Sequence, residues 1–143
     1  DAQESRGLGD VYKRQVQILE TSSHTSGTQT LKSEKVKGDA YFGTTDGLHT
    51  VMIDLAGFIG TIKIQGSLAD DPAETDWFDA QLNDGEFQVD TSGKVTKIVV
   101  ESITYALAET SIKVYNTTGN FVWLRANISD WTAGTITRIE MNR

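Results

Sequence analysis

Short runs of Val, Ile, Thr and aromatic residues, ended by turn-forming residues roughly every eight to twelve positions, make up most of this chain. The pattern begins near Val16 and is typical of antiparallel strands joined by tight turns. No long stretch carries the three-to-four-residue periodicity of an amphipathic helix. The sequence therefore predicts an all-β fold, an antiparallel β-sandwich whose strand order is jelly-roll-like or immunoglobulin-like.

The clearest strand is Gly60 to Leu68, where Ile62, Ile64 and Leu68 alternate with polar residues and are predicted to form one core face. A second strand, His49 to Ala56, places its Val, Ile and Leu residues on one face. The link between them, residues 57–60, has hairpin length and a glycine at each end. This spacing predicts that the two strands are antiparallel neighbours in a hairpin.

Three further segments combine Gly with Asn, Asp, Ser or Thr and predict turns. They are Asn83 to Gly85, Thr91 to Lys94 and Thr117 to Asn120. In the last strand, Ile136 and Ile139 fall on opposite faces, which indicates either a β-bulge or a strand that contributes to two surfaces.

Apolar residues occupy both faces of the strand Asn120 to Asn127. A strand of this kind lies in the centre of a protein, or is covered by a second copy of it. We therefore take Phe121, Trp123 and Arg125 as candidate interface residues.

The 143 residues and the 38% hydrophobic share suit a single domain, residues 16–143. Residues 1–15 form an N-terminal arm. Within it, Ser5 to Gln15 resembles a translated adapter stretch and would then be non-native; a natural polar arm explains it equally well. The absence of cysteine leaves packing or oligomerisation to stabilise the fold.

Charge and hydropathy exclude two classes of partner. Twenty acidic residues against thirteen basic ones give a net charge of -7, which repels a phosphate backbone, so no nucleic-acid partner is expected. The longest apolar runs are far below the roughly 20 residues that span a bilayer, so no membrane partner is expected either. The first residues lack the apolar core of a secretory signal.

The sequence contains none of the usual catalytic motifs, and its two histidines, His24 and His49, are not spaced as ligand pairs. We therefore predict no catalytic residues, no cofactor and no metal. The acidic loop from Asp70 to Asp76 has the oxygen ligands that calcium prefers, but a solvated loop explains it better.

Trp77 and Trp131 lie beside predicted loops, where a sugar-binding sandwich presents its stacking rings. We take Trp77, its neighbour Asp76, and Trp131 as candidate binding residues. Packing in the core or at an interface is the alternative for each ring.

Four segments together resemble virion structural proteins of tailed bacteriophages, particularly marine myovirus-like phages. They are the GTIKIQGSL strand at Gly60 to Leu68, the DWF loop end at Asp76 to Phe78, the NFVWLRA strand at Asn120 to Ala126, and the TAGTI turn at Thr132 to Ile136. The resemblance implies a β-sandwich used as a capsid decoration, head or tail component in several symmetric copies. The stretch Asp79 to Ala108 lies outside it.

The sequence therefore favours a non-enzymatic virion structural protein, most simply a capsid decoration or a head or tail accessory subunit. Its expected partners are copies of itself, as a trimer, and the major capsid protein or another virion protein. The alternative is a carbohydrate-binding β-sandwich module at a phage tail or fibre tip.

Overall fold

A computed structural model describes residues 14–44 and 46–143, so most of the predicted N-terminal arm lies outside the described residues. Ten strands, β1 to β10, follow one another along the chain. They are Gln15–Leu19, Ser22–Ser23, Gln29–Lys32, Val36–Lys37, Leu48–Ser67, Phe78–Asp79, Phe87–Val89, Val95–Lys97, Ile103–Thr118 and Trp123–Asn142. Two short 3-10 turns, Asp39–Phe42 and Glu74–Asp76, are the only helical elements of the described residues.

Eight of the strands form one antiparallel sheet around β5 and β10. The short strands β1 to β4 all pair with the outer edge of β10, whereas β6 and β9 pair with the far edge of β5. The remaining strands, β7 and β8, form a separate hairpin. The predicted fold class is confirmed: the protein is an all-β, antiparallel β-sandwich.

The two central strands, β5 and β10, each run through both layers of the sandwich. The Gly119 amide donates to the Gly47 carbonyl beside the start of β5, and the Val122 amide donates to the Ser67 carbonyl at its end. Three residues of chain span at most about 11 Å, whereas a straight strand of 20 residues is about 66 Å long. Strand β5 therefore doubles back on itself, and its two halves face each other across the core.

The reversal in β5 lies at Gly57, whose φ of 66° is accessible mainly to glycine. Register shifts on both sides of Phe58 mark a bulge there. Upstream of it the buried residues are Val51, Ile53 and Leu55; downstream they are Phe58, Ile62 and Ile64. The extra residue thus moves the core face from odd to even positions, as a bulge must.

The bulge corrects the predicted hairpin, because His49 to Ala56 and Gly60 to Leu68 are two halves of one strand. Glycine at positive φ occurs in bulges as well as in turns, so the two glycines of residues 57–60 did not distinguish a bulge from a hairpin turn. The predicted bulge in the last strand is confirmed by a register shift between Ile136 and Arg138. The Thr91–Lys94 turn is confirmed between β7 and β8.

The Thr117 to Asn120 link joins β9 to β10, which flank β5 on opposite sides and do not pair with each other. It was predicted as a hairpin turn and is instead a crossing that is hydrogen-bonded to both ends of β5. Eighteen buried apolar side chains form a single core, with Phe58 between the rings of Tyr105 and Trp131.

Replacing Gly134 by Ala is expected to lower the free energy of unfolding by about 2–4 kcal/mol. Gly134 has a φ of 86°, and a Cβ there would overlap the Gly57 backbone at the reversal of β5. Gly93→Ala is the matched control, because Gly93 has a φ of 87° but no atom near its Cβ position. Its free energy of unfolding should fall only by the backbone strain of an alanine at positive φ, about 1–2 kcal/mol. Urea unfolding measures both, and equal losses would contradict a close approach at the bend.

Candidate functional site

Arg125 is the centre of a polar cluster on the outer side of β10. Its neighbours Leu124 and Ala126 point into the core, so Arg125 points outward, yet it is only 7% exposed. The loop between β5 and β6 covers it. Its Nε donates to Gln65 Oε1 at 2.9 Å, and its terminal nitrogens donate to the Glu74 carboxylate at 3.0 and 3.3 Å. The guanidinium lies 4.2 Å from the ring centre of Trp77.

Glu74 anchors this loop from the solvent side. Hydrogen bonds from Arg125 and then from Lys32 lower the pKa of the Glu74 carboxyl to about 2. The Ala73 amide donates to the Asp76 carboxylate at 2.8 Å, which closes the short 3-10 turn. A small polar cavity of about 170 Å³ lies between Ser33, Pro72, Trp77 and Arg125. Asp76 and Trp77 therefore lie in the loop that Arg125 and Glu74 hold against β10, which we call the loop clamp. Trp77 is half-buried there.

The predicted binding role of Trp131 is wrong. Its side chain is 1% exposed, its ring lies 5.9 Å from that of Phe58, and its Nε1 donates to the Ala133 carbonyl at 3.0 Å. The register shift between Ser129 and Ala133 turns this ring inward. A ring with no exposed face cannot stack on a sugar.

The predicted interface residues find their partners within the chain. Phe121 is 5% exposed and packs between Phe78 and His49, so it does not reach a partner, and the same holds for Arg125. Trp123 is half-buried: its Nε1 donates to the Asp70 carbonyl at 2.9 Å, and its ring lies 5.1 Å from that of Tyr41. Both faces of this strand are thus covered, as the pattern predicted, but mainly by the chain itself.

His49 is fully buried at the start of β5. Its Nδ1 lies 2.9 Å from the Gly47 carbonyl, and the Asp39 amide donates to its Nε2 at 3.3 Å. This pair of contacts requires a neutral ring with the proton on Nδ1. Burial is the main cause that lowers the pKa of His49; the nearby Asp39 carboxylate acts in the opposite direction.

The largest surface feature is one that the sequence did not assign. Residues 84–102, which we call the arm, are nineteen consecutive exposed positions that contain the β7–β8 hairpin. The pairing Phe87↔Lys97 and Val89↔Val95 puts three apolar side chains on one face of the arm. Phe87, Val89 and Val95 are 58%, 65% and 60% exposed. This apolar face is therefore more than half exposed with respect to residues 14–44 and 46–143.

Hydrogen bonds hold the arm in shape at both ends. At the base, Asn83 is 7% exposed and its Nδ2 donates to the Glu86 and Ile98 carbonyls at 3.2 and 2.6 Å. At the tip, the Asp90 carboxylate accepts from the Ser92 hydroxyl and from the Ser92 and Lys94 amides at 2.7 to 2.9 Å. These contacts, the Ser92 hydroxyl first, lower the pKa of Asp90.

In part of strand β9, polar side chains face the core side and apolar side chains face outward. Ser111 pairs with the buried Leu55, so it faces the core side, whereas Ile112 faces outward and is 56% exposed. Val114, 49% exposed, points the same way and pairs with the half-buried Met52. We call Met52, Ile112 and Val114 the β9 face. Two of these residues, Met52 and Val114, line a concavity of about 530 Å³ that Arg14, Thr50 and Glu140 also line.

Comparison with known proteins finds no matching family model, no similar curated protein and no similar solved structure. No helix in residues 14–44 and 46–143 is long and apolar enough to cross a membrane. Within the same ranges, no three His, Asp or Glu side chains are grouped as a metal site would require. The arm and the β9 face are therefore the features on which a function can be argued.

Arg125→Met should lower the free energy of unfolding by about 1–3 kcal/mol, because Gln65 loses its buried donor and the loop loses its anchor. Lys32→Met removes the exposed partner of the same carboxylate and should cost much less, because solvent screens an exposed ion pair. Carboxyl NMR gives a second readout: the pKa of Glu74 should rise from about 2 toward 4.5, more in the Arg125 variant. Equal effects of the two variants would contradict the clamp.

Acid should destabilise the protein through His49. The pKa of His49 is lowered in the folded state, so the unfolded chain binds this proton more readily. The free energy of unfolding is then highest above the unfolded pKa, 6.5, and decreases as the pH falls below it. His49→Gln should flatten this decrease below pH 6.5. His24→Gln, which replaces the other histidine, is the control that should keep it; an unchanged slope in His49→Gln would refute the assignment.

Proposed function

We propose that this chain is a non-enzymatic structural subunit of a tailed-phage virion, a capsid decoration or a head or tail accessory protein, that works by binding other proteins. The observation that carries the proposal is the arm, which is ordered, apolar on one face and unused by its own fold. An isolated two-stranded hairpin is only marginally stable in water. The hydrogen bonds at the base and the tip hold the arm in one conformation, so it is suited to bind a partner. Preorganisation of this kind reduces the ordering cost of binding.

The β9 face is a second exposed apolar surface, and it supports the same function. A soluble monomer seldom turns the apolar residues of a strand away from its core, and contiguous exposed apolar surface marks a site of protein contact. Ile112 and Val114 point outward while Ser111 and Lys113 take the core-side positions. Covering the outward pair by a second protein removes their apolar area from water.

The virion context rests on the sequence resemblance. Three of the four segments that carry it, Gly60 to Leu68, Asn120 to Ala126 and Thr132 to Ile136, lie in or next to the shared strands β5 and β10. The arm lies within Asp79 to Ala108, which the resemblance does not cover. This division suits a common scaffold that presents a contact element of its own, because binding surfaces vary more than the frameworks that hold them.

The carbohydrate-binding alternative loses most of its support. Trp131 is buried, and Trp77 has the Arg125 guanidinium against its ring. A glycan site needs exposed rings that converge with polar groups, and only part of one ring remains. We do not propose it.

The chain is expected in purified virions of the phage that encodes it, in a fixed ratio to the major capsid protein. Quantitative mass spectrometry of the virions gives this ratio. Virions assembled without the chain should bind it when it is added back, and co-sedimentation measures that binding.

The arm variant Phe87→Ser/Val89→Ser should lose at least tenfold in binding to such particles, with little change in melting temperature because both side chains are exposed. Gln88→Ala/Thr96→Ala alters the opposite face of the arm and is the matched control, expected to bind normally. Absence of the chain from virions would overturn the proposed function.

A further inference from the structure

We infer that Glu109 and Lys113, two charged side chains on the core side of β9, prevent the open edge of this strand from pairing with the same edge of a second copy. We call them the edge charges. Strand β9 pairs with β5 on one side and with no other strand of residues 14–44 and 46–143. The unpaired edge of a long strand exposes backbone amides and carbonyls, and natural sheets carry features that stop other chains from pairing there.

Most of the outer edge of β9 is open. Near its C-terminal end, Asn116 exchanges two backbone hydrogen bonds with Asn83, at 2.9 and 2.7 Å. Backbone groups of alternate residues point to the same edge of a strand, so those of Val114 and Ile112 point the same way. Neither residue has a backbone partner on that side within the described part of the chain. The stretch before Asn116 is therefore the part of the edge that another strand could reach.

The edge charges lie along this stretch and face the interior of the sandwich. Glu109 is opposite Phe58 and Lys113 is opposite Ile53 in the register with β5, and both partners are buried. Side chains directly opposite each other in an antiparallel pair point to the same face. Between the two, the Ser111 hydroxyl donates to the Glu109 carboxylate at 2.6 Å. Glu109 is half-buried, whereas Lys113 is exposed because its long stem lets the amine reach water.

The distribution of charge on β9 is the reverse of what solubility alone requires. Glu109 and Lys113 are the only charged residues in the whole strand, Ile103–Thr118. The positions that face outward into water are neutral, and Ile112 and Val114 there are 56% and 49% exposed. Charges that served only to keep the chain in solution would occupy those outward positions. Inward-pointing charge on an edge strand is instead a device that opposes edge-to-edge pairing.

Pairing between two copies would enclose the edge charges. The added strand extends the sheet beyond β9, so charges that now lie at the rim of the sandwich interior would lose access to water. Burial of a charge is unfavourable unless the charge is fully paired and hydrogen-bonded. A register that places Glu109 opposite Lys113 of the second copy does not remove this cost, because the desolvation of a buried ion pair can exceed its attraction.

The outward side of the strand is left accessible. A protein that packs on Ile112 and Val114 from outside contacts the β9 face without covering the edge charges. The edge charges therefore exclude strand addition between copies and leave the β9 face available to a different kind of contact.

Replacing both edge charges by valine tests this role. Glu109→Val/Lys113→Val keeps the net charge and favours the strand. At equal concentration, light scattering should give a weight-average mass at least about twofold above that of the unmodified chain. Glu101→Val/Lys94→Val makes the same change at exposed positions outside the strands and should leave the mass unchanged. Circular dichroism checks folding, and Lys113→Val alone, at an exposed position, should show a smaller increase.

Hydrogen exchange locates the surface through which the variant associates. The amides of Ile112 and Val114 point to the open edge and should exchange rapidly in the unmodified chain, whereas those at positions 111 and 113 point to β5 and should exchange slowly. In associated Glu109→Val/Lys113→Val, exchange at Ile112 and Val114 should slow at least about tenfold.

A proline at the edge gives a second test of strand pairing. Val114→Pro, added to Glu109→Val/Lys113→Val, removes an amide that points to the open edge, where proline is tolerated. It should restore the mass of the unmodified chain. Val114→Thr removes the apolar side chain but keeps the amide, so it is the matched control and should still associate.

Three outcomes would overturn the inference. They are a Glu109→Val/Lys113→Val variant with the mass of the unmodified chain, association that leaves the amides of Ile112 and Val114 exchanging rapidly, and association that persists with Val114→Pro. The proposed function is tested separately, by the presence of the chain in virions, and none of these outcomes bears on it.

Discussion

The close approach of two backbones at the reversal of β5 is the constraint on which this fold depends. Gly57 takes a left-handed conformation there, and Gly134 lies so near it that no side chain fits. Because β5 reverses at this point, its two halves form opposite layers, and β10 follows it along nearly its whole length. The core is therefore enclosed by one folded sheet whose layers cannot separate without breaking continuous strands. Hydrogen bonds from the Gly119 and Val122 amides, one to each end of β5, complete the closure.

Two polar groups secure the open end of this folded sheet. His49 accepts from the Asp39 amide beneath the ring of Phe121, which joins the first half of β5 to the 3-10 turn before it. Arg125 holds the loop after β5 through Glu74 and Gln65. Both are buried groups with most of their hydrogen bonds satisfied inside the chain, which is the condition under which burial of a polar group is tolerated. From the sequence, Arg125 was a candidate interface residue and His49 was not a candidate; the role of both side chains in the fold is structural.

Local sequence patterns correctly predicted the fold class and several details. They failed for residues whose positions depend on contacts with distant parts of the chain. Alternation correctly placed Ile62 and Ile64 in the core, but Leu68, assigned to the same face, is 63% exposed. The opposed parities of Ile136 and Ile139 correctly indicated a bulge. The segment from Gly57 to Gly60 was misassigned, because glycine serves turns and bulges alike. Trp131 was misplaced for a related reason, since a bulge reverses the face of every later residue. The arm was recognisable as a hairpin, but alternation in a hairpin does not tell which side meets the core, or whether either does.

The order of pairing sets a demanding route to the folded state. Gln15 pairs with Asn142, and the Arg143 amide donates to the Arg14 carbonyl, so the first and last described strands must meet before the sheet is complete. Contacts this distant in sequence lose much chain entropy before they gain any stability, and proteins dominated by them fold in milliseconds to seconds. The arm follows a different course, because its strands are separated only by the turn between Val89 and Val95 and can form within microseconds. An exposed apolar hairpin would then precede the sheet that carries it, and during that interval the newly made chains would be most prone to aggregate.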